Sequence, residues 1–231
     1  MDLGKAREIL EIEDGSPEEI LNQCDAIWMY QGKENEPHAI LTSGKHSDGY
    51  INLNAVLQFP NLCQILAKQL VQKWIDEWWQ APDEKVDVIV SSTFAATSLG
   101  EEVAKQLGAM FVFTEKDGDQ QKWSGRFELP KGAKILQTEE LITTLITTRK
   151  VKEAVLTSNP EVEFLEVGGK TLVITVIHRP EKFPIPDDDY EVVSLIPKEI
   201  HNWDPDKCPL CKNGSIALKP KPNWQRFIEH R

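Results

Sequence analysis

A chain of 231 residues, 40% apolar and 27% charged, is long enough to bury a sizeable core and has the composition of an ordinary globular protein. Its formal charge of −11 excludes a general nucleic-acid-binding surface, which would demand clustered Lys and Arg, but leaves room for a small anionic ligand held by a few local donors. No apolar run approaches the roughly 18 residues that span a bilayer, and "MDLGKAREILEIEDG" lacks the apolar core of a secretory signal, so a cytoplasmic protein without membrane or nucleic-acid partners is expected.

Residues 1–36 read as helical. Ser16 is placed as an N-cap before Pro17 and the acids of a first turn, and Ile20, Leu21, Cys24, Ile27 and Trp28 follow helical spacing. "GKENEP" breaks that pattern. The stretch "HAILTSGKHSDGYINLNAVLQFP" reads as extended, with turn chemistry at Ser43-Gly44 and Asp48-Gly49. A long amphipathic helix follows in "NLCQILAKQLVQKWIDEWWQ", with Asn61 as cap and Leu62, Ile65, Leu66, Leu70 and Trp74 on one face. Trp74, Trp78 and Trp79 read as packing or a subunit contact.

From Val86 the pattern alternates. "VDVIV" is a buried strand, "SLGEEVAKQLG" a helix closed by Gly108, and "AMFVF" a second strand. "TEKDGDQQKWSGRFELPKG" is a polar loop or hairpin. "AKILQT" is a third strand, followed by a threonine-rich turn and a helix through Val155. "EVEFLEV" or "KTLVITVI", and then "YEVVSLI", supply later strands. Alternating strands and helices imply an α/β fold with a mostly parallel central sheet flanked by helices. The organisation expected is a single domain over 1–231: a helical and extended N-terminal hood (1–60), a core (84–200) and a loop-rich tail (201–231).

Of the four cysteines, Cys208 and Cys211 form "CPLC" in that tail. A lone CxxC supplies two ligands where structural zinc takes four. His201 is a candidate third, at a spacing that matches no zinc pattern. The pair reads first as structural thiols, with metal or redox work left open. The run "PDDDY", 186–190, reads as a solvated turn. His46 reads as a loop residue.

In an open parallel sheet, ligands bind beyond the carboxyl ends of the strands. Three segments leave that edge: "SSTFAATS", "TEKDGDQQKW" and "TEELITTLITT". The third carries the most chemistry. Backbone N–H groups at a helix start, beside threonine hydroxyls, make an anion pocket. Glu139 and Glu140 would repel a phosphate unless they held sugar hydroxyls or the shell of a Mg²⁺ ion. A phosphorylated ribose satisfies both; an acidic helix start with surface threonines is the plainer alternative.

"AKILQTEELITTLITTRKVKEAV" resembles the phosphoribosyl pyrophosphate motif of type I phosphoribosyltransferases, an apolar strand ending in two acids before a Thr-, Gly- and Ser-rich phosphate loop. "HAILTSGKHSDGYIN" is similar to the substrate segment of the orotate phosphoribosyltransferases, and "VDVIVSSTFAATSLGEEVAKQLGAMFVFTEKDG" to the strand, pyrophosphate loop and helix of that family. "CPLC" is similar to the ending of some bacterial members. The resemblance runs in order from His38 to Cys211. It implies the type I phosphoribosyltransferase fold, Mg²⁺ as cofactor, phosphoribosyl pyrophosphate and a pyrimidine-type base as substrates, and a homodimer in which a lid completes the neighbouring site. By position it implies that Glu139 and Glu140 hold the ribose diol, and that the turn with Thr143, Thr144 and Thr147 holds the 5′-phosphate. Lys116 would contact pyrophosphate beside the Ala95-Ala96 loop, Lys122 and Arg126 would belong to the lid, and Ser43, Gly44 and Tyr50 would pack the base.

The departures from that family lie at the site. Glu140 stands for an aspartate, Leu145 and Ile146 for small residues, Ala95 and Ala96 for glycines, Thr42 for a lysine, and Glu115 for a basic residue. β-Branched Ile is poor wherever φ must be positive. Two expectations follow: a phosphoribosyltransferase of the orotate type, or a non-catalytic member that binds a nucleotide or a partner.

Overall fold

The computed structural model describes residues 2–78, 85–183 and 189–229. Trp79, the Trp78 side chain and residues 186–188 of the "PDDDY" run lie outside that description.

The hood begins with two capped helices. In α1 (Leu3–Leu10), the Asp2 carboxylate accepts from the Lys5 N–H at 2.9 Å. In α2 (Pro17–Gln23), Ser16 is the N-cap, as expected, and with Glu19 it forms a reciprocal capping box. The helix then stops short of its apparent pattern. Asp25 takes φ +51°, and Ile27 and Trp28 enter β1 (Ile27–Met29) instead of a helix. Strand pairing overrides the spacing: β2 (His38–Ile40), β3 (His46–Ser47) and β4 (Gly49–Ile51) follow, and Trp28 sits opposite Tyr50. Its ring is buried against Phe227, 4.7 Å away between centroids.

After the short α3 (Asn54–Leu57), α4 (Pro60–Trp78) starts one residue before Asn61. Asn61 is therefore not the cap. Its amide donates to the carbonyls of Ile9 and Ile12, at 2.8 and 2.9 Å, and so fixes the end of α1 on α4. The expected apolar face is buried except at Ile65, which is half-buried. Leu62, Leu66, Leu70 and Trp74 are fully buried.

The core alternates β5 (Val88–Ser92), α5 (Ala96–Leu107), β6 (Met110–Asp117), β7 (Gln120–Lys122), β8 (Lys134–Ile142), α6 (Ile146–Ser158), β9 (Glu163–Phe164), β10 (Glu166–Val167), β11 (Lys170–His178) and β12 (Tyr190–Pro197). Strands β12, β11, β8, β5 and β6 lie side by side in that order, all parallel. β7 folds back on β6, β10 folds back on β11, and β9 extends the sheet beside β8. Successive strand residues point to opposite faces. Ile89 and Leu136 accordingly pack with Leu99 and Val103 of α5 and with α4. Val88, Val90 and Ile135 pack with Val151 and Val155 of α6. With both faces covered, these strands read as unbroken apolar runs.

The tail is not mostly loop. It holds β13 (Asn202–Trp203), a 3₁₀ turn at Pro205–Lys207, α7 (Pro209–Lys212), β14 (Ala217–Leu218) and α8 (Pro220–Ile228). β13 and β14 flank β3 and β2 in a four-stranded sheet ordered β13-β3-β2-β14.

Gly100 in α5 lies against the Phe111 ring of β6, where an added Cβ would stand 2.5 Å from Cε2. Gly100→Ala is expected to cost about 1–3 kcal/mol in urea unfolding. Combined with Phe111→Leu, which withdraws the ring edge, the loss should be smaller than the sum of the two single losses. Additive losses would show that the ring does not limit that position.

Candidate active site

Parallel pairing brings the carboxyl ends of β5, β8 and β11 to one edge, and the segments that follow them meet there. β8 runs four residues past the Thr138 at which its apolar pattern stops, to Ile142. Glu139 and Glu140 are therefore strand residues, and alternation sends their side chains to opposite faces. A three-residue bend, Thr143 to Leu145, leads into α6.

The bend and the first turn of α6 enclose a cleft of about 100 Å³, lined by Ser92, Glu139, Glu140 and residues 141–148. Liquid water takes roughly 30 Å³ per molecule, so the cleft has the size of one tetrahedral oxyanion. Leu145 offers α6 no side-chain cap. The first N–H groups of that helix have no acceptor within it and belong to residues that line the cleft. Positive φ falls on Leu145, at +59°, and not on Ile146. An αL residue other than glycine costs roughly 1–2 kcal/mol, and here the Leu145 side chain is buried with Ile142, Val173 and Tyr190. Ile146 is helical and 56% exposed. Thr143 is half-buried, Thr144 and Thr147 are exposed, and Thr148 is buried.

Glu139 is almost fully buried, at 3% exposure. Ser92 Oγ–H donates to its Oε2 at 2.5 Å and Gln137 Nε2–H to its Oε1 at 3.0 Å. The Gln137 amide also donates to the Thr148 carbonyl at 3.2 Å, so one side chain ties the strand to the helix start. Burial pushes the Glu139 carboxyl up to about 7, against the two hydrogen bonds, with the charge of Glu140 adding to the rise. Glu140 is half-buried, and burial raises its pKa as well.

The other residues singled out from the sequence do not line this cleft. Ala95 precedes α5 with φ −64° and ψ −36°, ordinary right-handed values, so alanine suits a place where glycine was expected. Ala96 is the first residue of α5. Lys116 and Lys122 are exposed on the β6–β7 hairpin. That hairpin is held in place: Phe127 packs edge-on against Phe113 with centroids 5.1 Å apart, and Lys150 of α6 donates to the Asp119 carbonyl. Glu115 is paired with Arg126 Nε at 2.8 Å, which offsets its negative charge. Ser43 and Gly44 form the exposed turn between β2 and β3, with Gly44 at φ +82°. Tyr50 is half-buried beside Trp224, 5.6 Å away.

Sequence reasoning passed over Arg179. It follows β11 directly, its N–H donates to the Ile142 carbonyl at 2.8 Å, and its buried Nε has no hydrogen-bond partner among the described residues. Burial lowers its pKa, and the Tyr50 hydroxyl partly offsets that effect. The backbone of Arg179 thus meets the residue before the bend after β8, and its guanidinium lies within the electrostatic reach of Tyr50 in the hood. An arginine just past the apolar run of β11 was the available signal. His178 beside it is buried, with a pKa pushed down to about 4, and is neutral at ordinary pH.

No family model matches the chain. Its fold is that of the type I phosphoribosyltransferases: the orotate phosphoribosyltransferase of Aeropyrum pernix superposes with a TM-score of 0.54 at 13% identity, over 78% of this chain and 92% of that one. Among curated relatives, the orotate phosphoribosyltransferase of Caldicellulosiruptor bescii is 30% identical over 190 residues, 80% of this chain and 88% of that protein. The enzyme of the same name from Caldanaerobacter subterraneus subsp. tengcongensis is 30% identical over 80% of this chain and 89% of its own. The chain belongs to the orotate phosphoribosyltransferase family.

Glu139 has a measurable signature. Its folded pKa of about 7 lies above the ordinary 4.5. The native state therefore holds a proton that the unfolded state has lost, and stability present below pH 4.5 disappears as pH rises through about 7. Wild type should lose about 3 kcal/mol from this group between pH 5 and pH 8, and Glu139→Gln should flatten that part of the curve. Denaturant titrations at the two pH values test it; parallel losses in both proteins would refute the assignment.

Proposed function

We propose that the chain transfers ribose 5-phosphate from phosphoribosyl pyrophosphate to a pyrimidine-type base, in cytoplasmic nucleotide synthesis. The observation that carries this reading is the pairing of Glu139 and Glu140 with an uncapped helix start around one oxyanion-sized cleft.

In this reading the 5′-phosphate takes the N–H groups at the start of α6 and the hydroxyls of Thr143, Thr144 and Thr147. Glu140 accepts from the ribose hydroxyls. Glu139, already held by Ser92 and Gln137, stands behind it and adds negative potential once its carboxyl has lost the proton, above about pH 7. A ring nitrogen of the base, its proton released to solvent, forms a bond to the anomeric carbon while the bond from that carbon to the pyrophosphate oxygen breaks. The electron pair leaves with pyrophosphate. The sugar becomes cationic in between, and fixed carboxylates stabilise that charge without having to reorganise. Tyr50 and Arg179, whose Nε has no partner among the described residues, flank the base, the guanidinium suiting an acidic substituent, with the Ser43-Gly44 turn alongside. The Ala95-Ala96 turn and Lys116 serve the pyrophosphate.

Magnesium fits the site as an ion carried largely by the substrate. Glu139 is occupied by internal donors, which leaves Glu140 for a cation that keeps several waters. When bound, the ion neutralises charge on the departing pyrophosphate. Lys116 and Lys122 do not line the cleft of their own chain, and we assign them to the cleft of a second copy in a homodimer.

A second reading, a non-catalytic member whose pocket binds a nucleotide or whose surface binds a partner, is favoured by Leu145. Its side chain fills the space beneath the bend, where a smaller residue would leave room for a ligand.

Calorimetry with phosphoribosyl pyrophosphate and Mg²⁺, followed by an orotate consumption assay, separates the readings. Binding and turnover are expected, with Glu140→Gln lowering kcat about 100-fold and Arg179→Ala raising KM for the base about 10- to 100-fold. Binding without turnover of any pyrimidine base supports the second reading. No heat at millimolar ligand removes the first reading and leaves the partner-binding form of the second.

A further inference from the structure

The hood and the tail meet at a cluster that the transfer reaction does not use. His38, His46, Cys208 and Cys211 bring one ligand atom each to within 4.8 Å of one another. Three of the four are buried, with Cys211 on the outer side. We propose that these residues form a tetrahedral zinc site that fastens the C-terminal tail to the β2–β3 hairpin.

The local structure explains how the four meet. In the β2–β3 pairing Ile40 stands opposite His46. His38 is two residues before Ile40 and so shares its face, which makes His38 and His46 diagonal neighbours on one side of the hairpin. Cys208 caps α7 and Cys211 lies one turn on, so both sulfurs project from the same side of that turn. Pairing of β13 with β3 and of β14 with β2 delivers α7 to the histidine face.

The spacing suits the metal. Zn–S bonds of about 2.3 Å and Zn–N bonds of about 2.0–2.1 Å put neighbouring donors roughly 3.3–3.8 Å apart in a tetrahedron. Cys211 Sγ lies 3.4 Å from His38 Nε2 and 3.3 Å from His46 Nδ1, and Cys208 Sγ lies 3.6 Å from His38 Nε2. The two ring nitrogens are 3.0 Å apart and need to separate by only a few tenths of an ångström.

The outer contacts set the correct tautomer. Ser215 Oγ–H donates to the Glu36 carbonyl at 2.7 Å, so its oxygen accepts from His38 Nδ1–H at 3.0 Å. The lone pair of His38 Nε2 then points into the cluster. A ligating histidine whose other nitrogen is oriented in this way is the usual outer arrangement of a zinc centre. Two thiolates and two neutral imidazoles also balance the ion's charge, so the buried complex is neutral. Binding releases the two thiol protons to solvent.

Neither "CPLC" nor any short spacing could reveal this set, because Cys211 and His38 are 173 residues apart. His201, the third ligand considered from sequence, is elsewhere: its Nδ1 pairs with Asp48 Oδ2 at 2.9 Å. His46 lies in a strand, not a loop.

The test uses the full chain, and its readout does not depend on transfer activity. Protein purified without chelator should carry about one zinc ion per chain by elemental analysis. After chelation, a Co²⁺ titration should develop tetrahedral d–d bands and a sulfur-to-cobalt charge-transfer band, both lost in Cys211→Ser. Chelated protein should be cut faster by trypsin in the tail, with zinc restoring protection. If Cys211→Ser fails to fold, the Co²⁺ spectrum of the wild type still decides. Three results overturn the proposal: sub-stoichiometric zinc without cobalt–thiolate bands, a Cys208–Cys211 disulfide in freshly purified protein, or unchanged metal binding in Cys211→Ser.

Discussion

Placing β8 between β5 and β11 in a parallel sheet covered on both faces constrains nearly everything else in this chain. Parallel neighbours require crossovers, so the loops that follow three adjacent strands must emerge at one edge. Helices on both faces require apolar side chains up and down each strand. A carboxylate at the end of such a strand can persist only with donors around it. Ser92 from β5 and Gln137 from β8 itself supply them to Glu139. The same Gln137 fixes the start of α6 through the Thr148 carbonyl. Sheet order, acid placement and helix entry are thus set together.

That geometry also accounts for the tolerance of unusual residues at the bend. The αL position at Leu145 is unfavourable for a leucine backbone. Its side chain nevertheless buries against Ile142, Val173 and Tyr190, which is worth roughly 1.5–3 kcal/mol and offsets the backbone strain. Glycine would relax the backbone and forfeit the packing. Local stability and room for a ligand are in tension at this residue. Ala95 illustrates the opposite case, since its right-handed conformation asks nothing of glycine.

Where one segment carried its own periodicity or capping chemistry, the sequence was readable. The N-cap at Ser16, the apolar face of α4, the Gly108 stop and the alternating core could all be seen in advance. Errors arose where tertiary pairing decided the outcome. Ile27 and Trp28 fit a helix by spacing but are drawn into a strand by Tyr50 and its neighbours. The tail, rich in Pro and Lys, becomes ordered because it adds strands to the hood. At the site, the acids and threonines were legible because they are contiguous. Arg179, which we propose for the base, was not, because it reaches the bend from a strand that meets β8 only in three dimensions. The histidines facing Cys208 and Cys211 were hidden for the same reason.

The four-stranded sheet of the hood has both of its flanks supplied by the tail, with β13 on one side and β14 on the other. Peeling the tail away would leave β2 and β3 with raw edges, whose unmatched amide and carbonyl groups invite a strand from another molecule. The last thirty residues thus act as a guard against self-pairing, and two chains exchanging these segments would satisfy each other's edges without any new contact type.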